Sequence, residues 1–66
     1  MEFRDAERLL RIGQVRELTG LTRSTVYRLA AAGRFPRPIK LSERASAWSE
    51  AAVRDWIRAR VAGRPA

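Results

Sequence analysis

A short run of arginine and hydroxyl side chains is the segment of this chain best suited to polar chemistry. Residues 22–28 read TRSTVYR, which places two guanidinium groups, three aliphatic hydroxyls and one phenol within seven positions. Arginine pairs in bidentate fashion with guanine, and serine or threonine bonds to either donor or acceptor edges of bases. These side chains suit the binding of base edges, provided that one regular element presents them on a single face.

Catalytic chemistry has little support in the composition. The 66 residues include no His and no Cys, which removes the commonest general base and the thiol nucleophile. Glycine-rich phosphate loops are absent, and the carboxylates are scattered rather than paired. The lack of His and Cys also excludes disulfides and the usual zinc sites. We therefore expect no enzyme activity, no small-molecule substrate and no cofactor.

The charge distribution favours a polyanionic partner. The chain carries 14 Lys and Arg against 7 Asp and Glu, a formal net charge of +7. Residues 18–42 hold no acid and five of the basic side chains, namely Arg23, Arg28, Arg34, Arg37 and Lys40. A scattered excess of charge is most often just a solvated surface, but a contiguous acid-free block favours nucleic acid.

Apolar residues recur at helical spacing in two neighbouring segments. We expect helices over 14–19 and 23–32, with Gly13 and Thr22 as their N-caps. Gly20 lies in the short link, and two helices joined by such a turn form a helix-turn-helix. The inward side chains are expected to be Ile12, Val15 and Leu18 from the first helix, and Val26, Leu29 and Ala30 from the second.

A β-hairpin is predicted next, because Pro36 and Pro38 exclude a helix interior and alternating polarity follows them. Its turn is expected at 42–44, and residues 9–12 could add a short extended segment to it. A lone hairpin is marginal in water, so it must pack on the helices. The side chains available for that packing are Ile39, Leu41 and Trp48.

A third helix is predicted after Ser49, its N-cap, and is ended by Gly63 and Pro65. Its apolar face is expected to comprise Val53, Trp56, Ile57 and Val61. Both tryptophans, Trp48 and Trp56, fit this apolar periodicity better than they fit a base-stacking role.

The order helix, turn, helix, hairpin, helix predicts a winged helix-turn-helix: a mainly α fold of three short helices with a two-stranded wing. We expect this DNA-binding domain over 9–62, a flexible N-terminal segment over 1–8 and a tail over 63–66. The second helix of such a domain enters the major groove with its N-terminal residues on base edges. The expected DNA-binding residues are Arg23, Ser24, Thr25, Tyr27 and Arg28 on that helix, and Arg34, Lys40 and Arg44, with Arg37 beside them, on or near the wing.

Several of these side chains also have a purely structural interpretation. Ser24 and Thr25 could serve as first-turn hydroxyls rather than base contacts, and Tyr27 could lie half buried with its hydroxyl in water. Ala31, on the same outward face, is too short to favour base reading. Glu43 at the expected wing tip would repel phosphate unless it is solvated or paired with Arg44.

Residues 9–57 resemble the AlpA family of small phage and mobile-element regulators, which is related to excisionases and more distantly to the MerR DNA-binding domain. The resemblance depends on the segments LTGLTRSTVYR and GRFPRPIKL and on the closing segment from Trp48 to Ile57. It implies a winged helix-turn-helix protein that binds DNA. It also implies a recognition-helix role for Arg23, Ser24, Thr25, Tyr27 and Arg28, and a wing role for Lys40 and Arg44.

The resemblance leaves two functions open. One is an excisionase, or recombination directionality factor, whose copies bind side by side and bend attachment-site DNA for an integrase. The other is a transcriptional regulator of prophage genes. A protein-interaction module of a phage assembly is a third class, distinguished by a flat salt dependence. The chain has no apolar run long enough for a membrane span, and its first residues are too charged for a signal peptide, so we expect a cytoplasmic protein.

Overall fold

This computed structural model describes residues 8–63, which form three short helices and a three-stranded sheet. The segments expected as a flexible N-terminus and a C-terminal tail fall largely outside these residues. The elements are β1 (Leu9–Leu10), α1 (Ile12–Thr19), α2 (Arg23–Ala31), β2 (Ile39–Ser42), β3 (Ala45–Ser49) and α3 (Glu50–Val61). The predicted winged helix-turn-helix fold is confirmed.

The sheet has one strand more than the predicted hairpin. Its order is β1-β3-β2, with both pairs antiparallel, so β3 lies in the centre. Leu10 pairs with Trp48 and Leu9 with Ser49. The extended segment expected over 9–12 is therefore real but shorter, because α1 already begins at Ile12.

The wing reverses direction without a glycine. Lys40 pairs with Ser46 and Ser42 pairs with Ala45, which leaves Leu41 as an extra residue on β2. Two-residue hairpin turns that match the twist of their strands usually need residues with positive φ. Within residues 8–63 only glycines have a positive φ, and none of these glycines lies in the wing. A bulge bends its strand and increases the local twist. The extra residue in β2 thus permits a tight turn built from ordinary side chains.

The core draws one large side chain from each of five elements. Leu10, Val15, Val26, Trp48 and Val53 are at most 2% exposed, and they come from β1, α1, α2, β3 and α3 in that order. Ala30 and Phe35 complete this buried cluster. Among the elements of residues 8–63, only β2 contributes no buried residue. Because the other five elements each supply one part of a single small core, the helices and the sheet stabilise one another.

Four expected core residues are exposed instead. Ile39 and Leu41 are 45% and 48% exposed, since Ile39 pairs with Ala47 and shares the sheet face opposite to that of Trp48. Leu18 is 36% exposed in the last turn of α1. Val61 is 82% exposed because it lies eight residues beyond Val53, about 12 Å along the helix axis and past the core.

Two indole groups attach the wing to the rest of the domain. The Nε1 of Trp48 donates to the carbonyl of Pro36 over 3.1 Å, and the Nε1 of Trp56 donates to the carbonyl of Arg34 over 2.7 Å. Between these carbonyls, Phe35 is buried and meets Trp56 edge to face, with 4.9 Å between ring centroids. Both tryptophans are scaffold residues, as the sequence indicates, and they fix the segment from which the wing begins.

Hydroxyl side chains cap the N-termini of α2 and α3 as predicted, whereas α1 begins differently. Thr22 Oγ1 accepts the Thr25 amide over 3.2 Å, and Ser49 Oγ accepts the Ala52 amide over 3.2 Å, as predicted. Gly13 is not an N-cap. The Gln14 side chain accepts the backbone N–H of Arg11 over 2.9 Å, so α1 begins earlier and includes the glycine.

We expect Val53→Ala to lower the free energy of unfolding by about 2 kcal/mol, because it removes two buried methyl groups from the shared core. Val61→Ala is the matched control on the same helix. It should change stability by no more than about 0.5 kcal/mol, since this valine is almost fully exposed. Chemical denaturation followed by circular dichroism measures both. Equal losses would contradict the placement of the core.

We expect Thr22→Ala to destabilise the domain by about 1 kcal/mol, because the Thr25 amide loses its capping oxygen. Thr22→Ser retains the hydroxyl and should stay close to the wild-type value. The same denaturation measurement separates the two variants. A loss of stability in the serine variant equal to that of the alanine variant would assign the effect to the threonine methyl group instead.

Candidate nucleic-acid interface

The second helix exposes three of the expected site residues. Val26 and Ala30 are buried, whereas Arg23, Ser24 and Arg28 are exposed. At 3.6 residues per turn, Ser24 and Arg28 lie close together on the side away from the core, whereas Arg23 lies on the flank of the helix beside Tyr27. The remaining two, Thr25 and Tyr27, are only partly exposed, and each has a partner within the domain.

The first turn of α2 is closed by its own hydroxyls. Thr22 Oγ1 donates to Thr25 Oγ1 over 2.9 Å and accepts the Thr25 amide. The Thr25 hydroxyl thus has one partner already and keeps its own proton for another. Ser24, between them, is exposed and is the hydroxyl most accessible to a ligand. These bonds hold the N-terminal end of the helix in a defined shape.

Three side chains are stacked from the surface of α2 into the core. The guanidinium carbon of Arg23 lies 5.4 Å from the ring centroid of Tyr27. The Tyr27 ring in turn meets the Trp48 ring edge to face, with 5.6 Å between centroids and 66° between planes. Arg23 and Tyr27 are four positions apart, so they are neighbours on the helix surface. Sequence reasoning named both residues and missed their contact, although that spacing was a signal for it.

A shallow groove separates α2 from the segment that leads into the wing. It has a volume of about 410 Å³ and is lined by Tyr27, Ala30, Ala31, Arg37 and Pro38. The short Ala31 side chain, exposed on the helix, leaves the groove open. Arg37 is the charged residue of the lining. The groove continues the polar surface of α2 towards the basic residues of the wing.

The wing residues expected to bind DNA are exposed. Arg34 precedes the wing, Lys40 lies on β2 and Arg44 lies in the turn between the strands. The ammonium group of Lys40 donates to the backbone carbonyl of Glu43 over 3.0 Å, which closes the tip. The Glu43 side chain is exposed, and no ion pair between it and Arg44 occurs within residues 8–63.

Ion pairing within residues 8–63 involves the acids of α3 and none of the basic side chains of α2 or the wing. The three ion pairs of the described residues all use acids of α3: Glu50 with Arg8 and Arg54, and Asp55 with Arg58. The basic side chains of α2 and the wing have no carboxylate partner within that same range. The surface from α2 to the wing is therefore basic apart from the exposed Glu43 at the wing tip, whereas α3 neutralises much of its own charge.

Metal-ligating side chains do not gather in the described range, where no three of them lie together. None of the helices of that range is both long and apolar enough to span a membrane. A second cavity of about 400 Å³ lies between the segment before the wing and α3, where Phe35, Trp56 and Asp55 are among its lining residues.

Comparison with known proteins shows the family of this chain. Residues 8–61 match the family described as prophage CP4-57 regulatory protein (AlpA). The chain is also 43% identical over 58 residues to an uncharacterized protein, ORF88, of Enterobacteria phage P4. That alignment covers 88% of this chain and 66% of the phage protein, so the chain spans just under two thirds of the relative's length. Because the family match takes in every helix and strand of the fold, from β1 to α3, the chain belongs to the AlpA family of prophage regulatory proteins.

Proposed function

We propose that this protein binds double-stranded DNA through α2 and the wing and acts as an excisionase, or recombination directionality factor, in the cytoplasm. The observation that carries the DNA-binding part is the basic surface of α2 and the wing, which has no carboxylate partner within residues 8–63. Membership of a family of phage DNA-binding regulators supports the same partner. The excisionase role is the finer part of the proposal.

In the proposed complex α2 lies in the major groove. Arg23, Ser24 and Arg28 are the exposed polar residues of this helix and would face base edges. Arg23 and Arg28 are five residues apart, about 7.5 Å along the axis of α2. One short helix of this kind would read a site of a few base pairs.

The wing and the groove beside α2 would bind the DNA backbone. Lys40 and Arg44 are exposed cations that suit phosphate or a narrow minor groove, and Arg34 precedes them. The groove that contains Arg37 offers a path for one sugar-phosphate strand between helix and wing. Because the two indole hydrogen bonds fix residues 34 and 36, the wing cations would approach the DNA in a defined register with α2.

The excisionase role is supported by the packing of all three helices into one core. α1, α2 and α3 each bury a valine in the same core, so within residues 8–63 no helix is left over to form a two-fold dimer. A DNA-binding module of this size covers roughly 600 to 1,000 Å² of protein surface, which supports modest affinity alone. Copies bound side by side in one orientation would add affinity through self-association. They would also share the cost of bending, of order 1–6 kcal/mol, before an integrase assembles on the bent site.

A transcriptional regulator of prophage genes is the second candidate, and the family's description as a regulatory protein favours it. It would use the same helix at a site near a promoter. The two candidates differ in the arrangement of sites rather than in the contacts of one domain.

We expect Arg28→Ala to weaken binding to a selected duplex by about 1–3 kcal/mol and to relax discrimination at one base pair. Lys40→Ala should weaken selected and scrambled duplexes alike, because a phosphate contact carries no sequence information. Fluorescence anisotropy with labelled duplexes measures both effects.

Arg54→Ala is the matched control for these variants, since it removes an exposed arginine that is paired with Glu50 on α3. It should bind like the wild type apart from a small effect of net charge. Unchanged binding in both Arg28→Ala and Lys40→Ala would contradict the proposed docking of α2 and the wing.

Selection from random duplexes, followed by sequencing of the bound pool, tests whether the protein is an excisionase or a transcriptional regulator. Short sites repeated in one orientation at helical spacing, bent in a gel-phasing assay, are the result expected for an excisionase. An isolated or inverted site without bending would favour the transcriptional regulator. An affinity that does not change with salt would contradict DNA binding itself and favour a protein partner.

A further inference from the structure

Tyr27 occupies the point at which the exposed face of α2 meets the core. We propose that it is a positioning residue, which holds the guanidinium group of Arg23 against its ring so that Arg23 enters the major groove already oriented. The inference rests on the proposed DNA-binding function and adds a role that the residue types alone did not indicate. The ring would act through Arg23 rather than through a base contact of its own.

The inner side of Tyr27 is fixed by the scaffold. Its ring meets that of Trp48 edge to face at 5.6 Å, and Trp48 is fully buried. The Trp48 indole is itself held by its hydrogen bond to the Pro36 carbonyl. Tyr27 also packs against the core cluster of which Val26 and Ala30 are members. The ring therefore has a defined orientation before any ligand binds.

The outer side of Tyr27 faces Arg23. The 5.4 Å from the guanidinium carbon to the ring centroid lies within the range of about 6 Å over which cations are attracted to aromatic faces. No carboxylate forms an ion pair with Arg23 within residues 8–63. The first turn around Arg23 is also closed by the Thr22 and Thr25 hydroxyls. Both the backbone and the side chain of Arg23 are thus held.

Holding Arg23 in advance favours binding for a general reason. Ordering a long side chain on association opposes binding, and less of that cost remains when the side chain is already held. The Tyr27 ring has its contacts with Arg23 and Trp48, so its hydroxyl is the part left for a direct contact with DNA. The two roles can be separated, because Tyr27→Phe keeps the ring and removes only the hydroxyl.

The test uses Tyr27→Leu and Tyr27→Phe, each in the wild-type chain and in Arg23→Ala, with anisotropy measured on selected and scrambled duplexes. We expect Tyr27→Leu to weaken binding to the selected duplex by about two- to fivefold, the size expected for an exposed cation–π contact. Tyr27→Phe, which keeps the ring, should bind the selected duplex within about twofold of the wild-type affinity. In the Arg23→Ala background, Tyr27→Leu should cause no further loss, as required of coupled residues.

A DNA-free readout keeps a folding defect from being mistaken for this effect. In the free protein, the ring current of Tyr27 should shift the side-chain proton resonances of Arg23 upfield. The shift should persist in Tyr27→Phe and vanish in Tyr27→Leu, while the Trp56 indole N–H resonance, which reports the hydrogen bond to the Arg34 carbonyl, stays in its native position. Absence of the shift in the wild-type protein would overturn the proposal.

Three binding outcomes would also overturn it. Equal losses in Tyr27→Phe and Tyr27→Leu would assign the effect to the hydroxyl and to direct contact. Equal losses from Tyr27→Leu with and without Arg23 would show that the two residues act independently. Failure of the wild-type protein to bind any duplex at low salt would remove the DNA-binding function as well. The first two outcomes leave that function intact, so the failures are distinguishable.

Discussion

The buried indole of Trp48 is the contact on which the basic surface of α2 and the wing depends. It lies on the central strand, packs against the Tyr27 ring of α2 and donates its N–H to the Pro36 carbonyl that precedes the wing. One side chain therefore touches both parts of the basic surface. In a domain too small for a second layer of core, the spacing between α2 and the wing is set by this residue and its neighbours rather than by a larger framework.

The distribution of carboxylates is the second constraint. Ion pairs of exposed residues contribute little to stability, generally below about 1 kcal/mol, so those of α3 are not what holds the fold together. Their effect is on the field around the molecule. Glu50 and Asp55 neutralise arginines of α3 and Arg8, whereas the arginines of α2 and the wing stay available to a polyanion. The uncompensated charge of α2 and the wing thus adds to the potential that a polyanion meets there.

The helices were predictable from the sequence because their signals are local. Periodic apolar residues, the hydroxyls of Thr22 and Ser49, and Gly20 at a positive φ of 77° are each legible within one turn of chain. The hairpin and the extra strand beside it were both predictable, but the bulge was not, because it depends on which residues pair across the sheet. Ile39 and Leu41 have the expected spacing, yet sequence alone indicates neither the break in register at Leu41 nor which face of the strand meets the core.

For the candidate site, the sequence indicated the polar residue types and missed how they are supported. Arg23 and Tyr27 were both named as DNA-binding residues, but their arrangement depends on the distant Trp48, which no local pattern connects to them. The exposure of Val61 is a second feature that the local sequence pattern does not predict. Its helical period fits the apolar face of α3, and only the extent of the folded core shows that the helix continues beyond it.

The lack of any buried side chain on β2 makes the wing strands less firmly held than α2. β2 is held by its pairing with β3 and by the tethered segment before it, so it can open locally at less cost than α2, whose valine lies in the core. In the proposed complex, α2 would therefore keep its geometry on the bases while the wing beyond the tethered segment adjusts to variations in groove width. Such a domain would tolerate DNA of differing curvature without changing the base contacts of α2.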